Sequence, residues 1–193
     1  DMAKLFTDFE QGSFKPTGGA ADFALEGKGF FSVETPRGER YTRNGNFTVG
    51  VEGYLMTKEG FPVLGEHGRI NLQDTKYTVN KNGEVWVRPI NNTDANPVLL
   101  DRLKLVAFEN DRFIKKEGSS LYTDTPVSGP AVAAEGPTRP TIAQGYIEAS
   151  NVNVVNEMVQ MIEVNRAYEA NQKSIQSEDT MMAKLWGEVV KLK

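Results

Sequence analysis

The sequence contains no cysteine and only one histidine, His67. Without a thiol there is no disulfide, no thiolate metal site and no cysteine nucleophile. A lone histidine cannot build an imidazole metal set, and His67 sits in the turn-like GEHGR, where a solvated loop residue is the default. No metal or cofactor is therefore expected. No apolar run approaches the ~18 residues of a membrane span, so membrane insertion is not expected. The opening DMAKLF lacks the basic and apolar regions of a secretory leader, so any export must follow signal removal or use a route without a cleavable signal. Basic charge is short as well: 22 Lys and Arg against 26 Asp and Glu leave a net charge of −4, with the cations scattered. Nucleic acid is not an expected partner.

What is present is the balance of a folded protein, 39% hydrophobic and 25% charged over 193 residues, enough for one good domain with an extension. Three zones follow one another. Residues 1–22 lack periodicity and end in a Pro/Gly turn, which predicts an extended connector. Residues 23–148 hold short segments rich in aromatic and β-branched residues, among them FFSVE, ERYTR, NFTVG, YLMTK, KYTV, EVWVR and RLKLVAF, each read as a strand. TPRGE (Thr35 to Glu39) and NKNGE (Asn80 to Glu84) each carry hairpin-turn chemistry. Alternation through Tyr77, Val79, Val85 and Val87 predicts antiparallel sheet with one face buried.

Residues 149–193 contain no proline, and their only glycine is Gly187. Asn153 is placed to cap a helix, with Glu157 facing the positive end in its first turn. Apolar residues follow at Val155, Met158, Val159 and Ile162. A seven-residue interval then runs through Met161, Tyr168, Ile175, Met182 and Val189, with Leu185 and Leu192 beside it. This reads as a one-sided stripe in search of a partner helix. Asn165, Asn171 and Gln172 near the seam suit register-setting in a helix pair. The expected fold is mainly β with a long terminal α-helix: an irregular antiparallel β domain over 23–148 and a C-terminal assembly helix over 149–193.

Smaller motifs have plainer readings than chemistry. Gly27 and Gly29 in EGKGFF match half of a dinucleotide fingerprint, but no helix follows to receive phosphates. They are read, with Gly45, as glycines that shape turns of the β domain. Asp8 and Glu10 in TDFE, and the acids of QSED, are loose pairs with nothing to separate their roles as acid and base. Trp86, Tyr77 and Phe108 could form a sugar-stacking platform, although aromatics in alternating strands more often fill a core. The functional alternative this leaves open is a carbohydrate-binding or cell-wall-modifying β module with a helical tail.

TDFEQGSFKPTGGAADFALEGKGFF, ERYTRNGNFTVGVEGYLMTKEGFPVLG, DRLKLVAFEND with IKKEGSSLYTDTPVSG, and GYIEASNVNVVNEMVQMIEVNRAYEANQKSIQSEDTMM together cover nearly the whole chain. In that order they resemble the rod and hook proteins of the bacterial flagellum. The long SNVN element at Ser150 to Asn153, followed by Arg166, Ala167, Tyr168 and Glu169, is the most specific part. Within the family, DRLKLVAFEN and SIQSEDTMMAKLWGEVVK look more like a proximal than a distal rod subunit. The resemblance implies a non-enzymatic subunit of the drive shaft, built into the periplasm-spanning rod of the basal body. Its expected partners are further copies of itself, neighbouring rod and hook subunits, and the flagellar export apparatus, which passes such subunits without a cleavable signal. It also implies an N-terminal helix, absent from this sequence, that pairs with the C-terminal one. Assembly is thus expected through Val155, Met158, Val159, Ile162, Tyr168, Ile175 and Met182.

Overall fold

In a computed structural model, residues 7, 9–92, 94–118 and 120–191 are described, with Pro137 and residues 183–191 described as backbone only. Two compact units emerge, Asp1–Asn151 and Val152–Lys193.

The first unit is built of short strands in chain order. They are β1 (Phe14–Pro16), β2 (Phe23–Glu26), β3 (Phe30–Thr35), β4 (Gly38–Thr42), β5 (Phe47–Val49), β6 (Leu55–Thr57), β7 (Leu64–Gly65), β8 (Gly68–Arg69) and β9 (Thr75–Val79). Then come β10 (Glu84–Pro89), β11 (Val98–Arg102), β12 (Leu105–Ala107), β13 (Lys115–Glu117), β14 (Leu121–Thr123), β15 (Val132–Ala133), β16 (Thr141–Gln144) and β17 (Tyr146–Glu148). All the registered pairings are antiparallel. The largest sheet runs β13-β14-β4-β3-β12-β15, a second runs β11-β10-β9, and four two-stranded ribbons surround them.

TPRGE closes the β3-β4 hairpin, with Gly38 at φ +99°. NKNGE closes β9-β10, where the Asn80 side chain accepts the N–H groups of Asn82 and Glu84 and so holds the turn by itself. RLKLVAF behaves differently from the single strand its composition predicts. It breaks at Leu103 and Lys104, because their N–H groups go to the Gly83 and Leu64 carbonyls rather than to one neighbouring strand. The segment therefore leaves one sheet as β11 and enters another as β12.

Both faces of β3 are buried. Phe31 and Val33 join Phe23, Leu25, Leu55, Val63, Leu103 and Leu105 in the main core. Phe30 points into a second cluster with Tyr41, Val106, Ile114 and Tyr122. A central strand covered on both sides needs a continuous apolar run, which is why two phenylalanines stand together at 30 and 31. Phe9 closes the second cluster by meeting the edges of Phe30 and Tyr122 at 5.2 Å each between ring centres.

From residue 9 on, the stretch read as a connector is stitched to the β unit. β1 pairs with β17, the Gln11 amide donates to the Leu25 carbonyl, and its oxygen accepts from Gly27 N–H. The second unit is one α-helix, α1 (Val154–Lys191). Its N-terminus is capped by Asn153, whose side-chain oxygen accepts from Val155 and Asn156 N–H at 3.1 and 3.4 Å.

Candidate assembly surface

The α-helical conformation of residues 154–182 sets where the expected contact residues point. Val155, Met158, Val159, Ile162, Tyr168, Ile175 and Met182 are between 49 and 68% exposed. At about 100° per residue, Val155, Met158, Val159 and Ile162 share one sector, while Met161, Tyr168, Ile175 and Met182 share another centred roughly 140° away. The stripe read as one-sided is thus two stripes. A seven-residue interval drifts ~20° per heptad on a straight helix, and the cluster at 155–162 follows a different repeat altogether. In the first three turns Val154, Val155, Met158, Val159, Met161, Ile162 and Val164 wrap well over half of the circumference. One partner helix cannot cover such an arc, since a pairwise seam is narrower. Among the seam's polar residues, Gln172 donates to the Tyr168 hydroxyl at 3.1 Å, one turn back on the same helix. Leu185, Val189 and Leu192 lie outside the residues whose side chains are described, and Asp8 lies outside the described residues.

In the first unit, the chain entering β1 and the chain leaving β17 lie side by side. Gly12 N–H donates to the Glu148 carboxylate, and Ala149 N–H to the Ser13 carbonyl. A Cβ on Gly12 would stand 1.9 Å from the Ala149 carbonyl oxygen, so only glycine permits this approach. Glu148 is held in turn by Arg43 at 2.8 Å, and Arg43 also donates to the carbonyls of Gly29 and Leu25. Both partners of this ion pair are largely buried, which makes it a clamp rather than a loose surface pair. Neither Gly12 nor the Arg43–Glu148 pair was singled out in the sequence. The pair spans more than a hundred positions, and Gly12 stands in no turn motif.

The shaping glycines have different reasons. Gly27 has φ +101° and Gly29 φ +156°, the latter pressed against Pro140. Gly45 needs no unusual φ, but a Cβ there would lie 1.8 Å from the Phe23 carbonyl oxygen.

Groups that might have carried chemistry are dispersed. His67 Nδ1 lies 2.8 Å from Asp101 Oδ1, and this hydrogen bond and charge hold the imidazole above its ordinary range. Asp101 also accepts from the N–H of His67 and of Arg102, so its role is to tie the β7-β8 turn to β11. Among the described residues no three His, Asp or Glu side chains gather as a metal set. No helix among them is long and apolar enough to cross a membrane. A cavity of about 420 Å³ is lined by Phe61, Leu121, Arg37, Arg40 and Glu117. Its carboxylate is engaged, because hydrogen bonds from Arg40 and then Arg37 hold Glu117 below the usual range. The imagined aromatic platform is not assembled: Tyr77 packs on the main core, Phe108 on the second cluster, and Trp86 lies on the outer face of β10.

A β unit with ion pairs between its own strands and turns, followed in sequence by a helix that carries two exposed apolar stripes, has the make-up of a structural protein. Comparison with known proteins agrees. Residues 24–87 match the family described as flagellar hook protein FlgE/F/G D1 domain, and residues 143–185 match flagellar basal body rod FlgEFG protein C-terminal. The chain is 38% identical over 178 residues to a flagellar basal-body rod protein FlgG of Buchnera aphidicola, covering 91% of this chain and 67% of that one. It is 37% identical to a flagellar basal-body rod protein FlgF of Caulobacter vibrioides, covering 84 and 63%. With a Bacillus subtilis FlgG it shares 32% identity, covering 88 and 65%. The chain belongs to the flagellar basal-body rod protein family and is a structural subunit of the rod. The flagellar basal body is its place, and other rod and hook subunits are its associates.

Proposed function

We propose that α1 is the assembly element, packing with helices of further copies and of neighbouring rod subunits, and that the rod so built carries torque across the periplasm. The single observation that carries this reading is the exposure of both apolar stripes of α1. A helix this long gains most of its stability from packing an apolar face rather than from propensity. Val155, Met158, Val159 and Ile162 meet one neighbour, and Tyr168, Ile175 and Met182 meet another. Residues 23–148 form the outer domain, with 1–22 as its lead-in and 149–193 as the axial part. Gly27, Gly29 and Gly45 serve its shape and bind no ligand. The subunit reaches its place through the flagellar export apparatus, and a chain free of cysteine suits passage between redox environments. It turns over no substrate: His67 is exposed and oriented by Asp101, but among the described residues no hydroxyl is hydrogen-bonded to its ring to serve as a nucleophile.

Function spread over many contacts has a cellular signature. In cells lacking the chromosomal copy, protein without residues 153–182 is expected to be made but to leave rods unfinished and cells non-motile. Protein carrying His67→Ala restores swimming. Loss of motility from His67→Ala alone, in a stable and exported protein, would contradict this reading and point to a local chemical site.

A further inference from the structure

Four of the six methionines stand on α1, while no leucine occurs between positions 154 and 182. Seam and core positions ordinarily favour leucine, with methionine a sparing gap-filler. Met158, Met161, Met181 and Met182 are 58–66% exposed. Met158 belongs to the stripe of Val155, Val159 and Ile162, and Met161 and Met182 belong to the stripe of Tyr168 and Ile175. Met181 belongs to neither, because it follows Glu163 by about five full turns and shares that residue's outward line. Met56, on β6, is half-buried and folded over Gly50, whose Cβ, if it had one, would stand 2.8 Å from the sulfur. Met2 lies outside the described residues.

With no cysteine in the chain, thioethers are the only sulfur an oxidant meets. Hydrogen peroxide transfers one oxygen atom to a methionine sulfur. The O–O bond breaks and the S–O bond forms, the sulfur gives up two electrons, and the proton of the transferred oxygen passes to the departing one, which leaves as water. The product is a polar sulfoxide in place of an apolar chain, a change that disrupts methionine-rich contacts. We propose that Met158, Met161 and Met182 form a reversible oxidation site on the assembly helix: a subunit that meets peroxide before it packs carries polar groups on both stripes and is kept out of the assembly. This rests on the self-association proposed above and adds its regulation. Reversal is reduction of the sulfoxide by a dithiol, which returns thioether, disulfide and water. Three of the four exposed helix sulfurs lie within the stripes, so one oxidant reaches both contacts.

The full chain is treated with hydrogen peroxide, the modified positions are read by peptide mass spectrometry, and association is read by sedimentation before and after. The four helix methionines are expected to oxidise about fivefold faster than Met56, in keeping with their exposure. Association falls about tenfold or more, because a polar group without a partner is costly at an apolar contact. It returns when a dithiol and the two methionine sulfoxide reductases, one for each epimer, are added. Full chain carrying Met158→Leu, Met161→Leu and Met182→Leu together keeps its association through the treatment, since leucine replaces methionine with little change of volume. Met181→Leu alone loses association as the parent does. A triple variant that loses as much as the parent, or a fully oxidised parent that associates as before, overturns the oxidation site and leaves the helix reading standing. A chain that is monomeric at every concentration before any peroxide is added overturns both.

Discussion

Replacing Ile162 and Ile175 together by aspartate is expected to abolish self-association and to melt most of α1. The two positions lie on different stripes, so each single change strikes one neighbour and the double change strikes both. A carboxylate forced against apolar side chains must keep its water, opening the contact, or lose it at a cost of several kcal/mol. Each substitution should therefore weaken association by about a hundredfold or more. Without partners the helix has only its propensity, and an isolated helix is marginal in water. Sedimentation velocity and far-ultraviolet circular dichroism of the single and double variants check this, with Glu163→Gln, outside both stripes, as the control. A double variant that is monomeric yet fully helical would show that α1 needs no partner for its order.

Gly45→Ala is expected to be the most damaging of the three glycine changes in the β unit. Its Cβ would fall 1.8 Å from the Phe23 carbonyl oxygen and 3.2 Å from a ring carbon of Phe31, both fully buried. Phe23 N–H also bonds the Gly45 carbonyl, so the two backbones cannot separate without losing that bond. Relief requires moving a core strand, which costs about 3 kcal/mol, the upper end of the usual range for overpacking. For a unit of this size that lowers Tm by roughly 10 °C. Gly27→Ala meets only Pro140 at 3.6 Å and suffers chiefly from its positive φ, a loss of about 1 kcal/mol. Thermal unfolding of the two variants checks the order. A Gly45→Ala variant that melts within about 2 °C of the parent would show that the approach of residues 23 and 45 is looser than described.

How far these features were legible follows from how local their causes are. TPRGE and NKNGE could be read as hairpin turns because the residues that close them lie inside the motif. Asn153 could be read as a cap because a cap acts within three residues. The direction of Trp86 was implicit in the alternation of Tyr77, Val79, Val85 and Val87, which places it on the opposite face from Tyr77. What escaped was decided between distant positions. The break at Leu103 and Lys104 depends on carbonyls at 83 and 64, and no feature of RLKLVAF marks it. The Arg43–Glu148 clamp and the need for glycine at 12 appear only once β1 lies beside β17. The helix was legible as an element but its face was not. Heptad counting emphasised Met161, Tyr168, Ile175 and Met182 and merged them with a cluster that points elsewhere.

The central claim, that both stripes of α1 are buried in the assembled rod, is tested most directly by thiol accessibility in basal bodies isolated from motile cells. Single cysteines are placed at Ile162, Tyr168 and Ile175, and at Glu163 as the outward control, in a chain that has no cysteine of its own. Each is reacted with a maleimide in the free chain and in the rod. The account predicts that all four react in the free chain, and that in the rod 162, 168 and 175 are blocked while 163 still reacts. Equal reactivity of 162, 168 and 175 in the rod and in the free chain would contradict it.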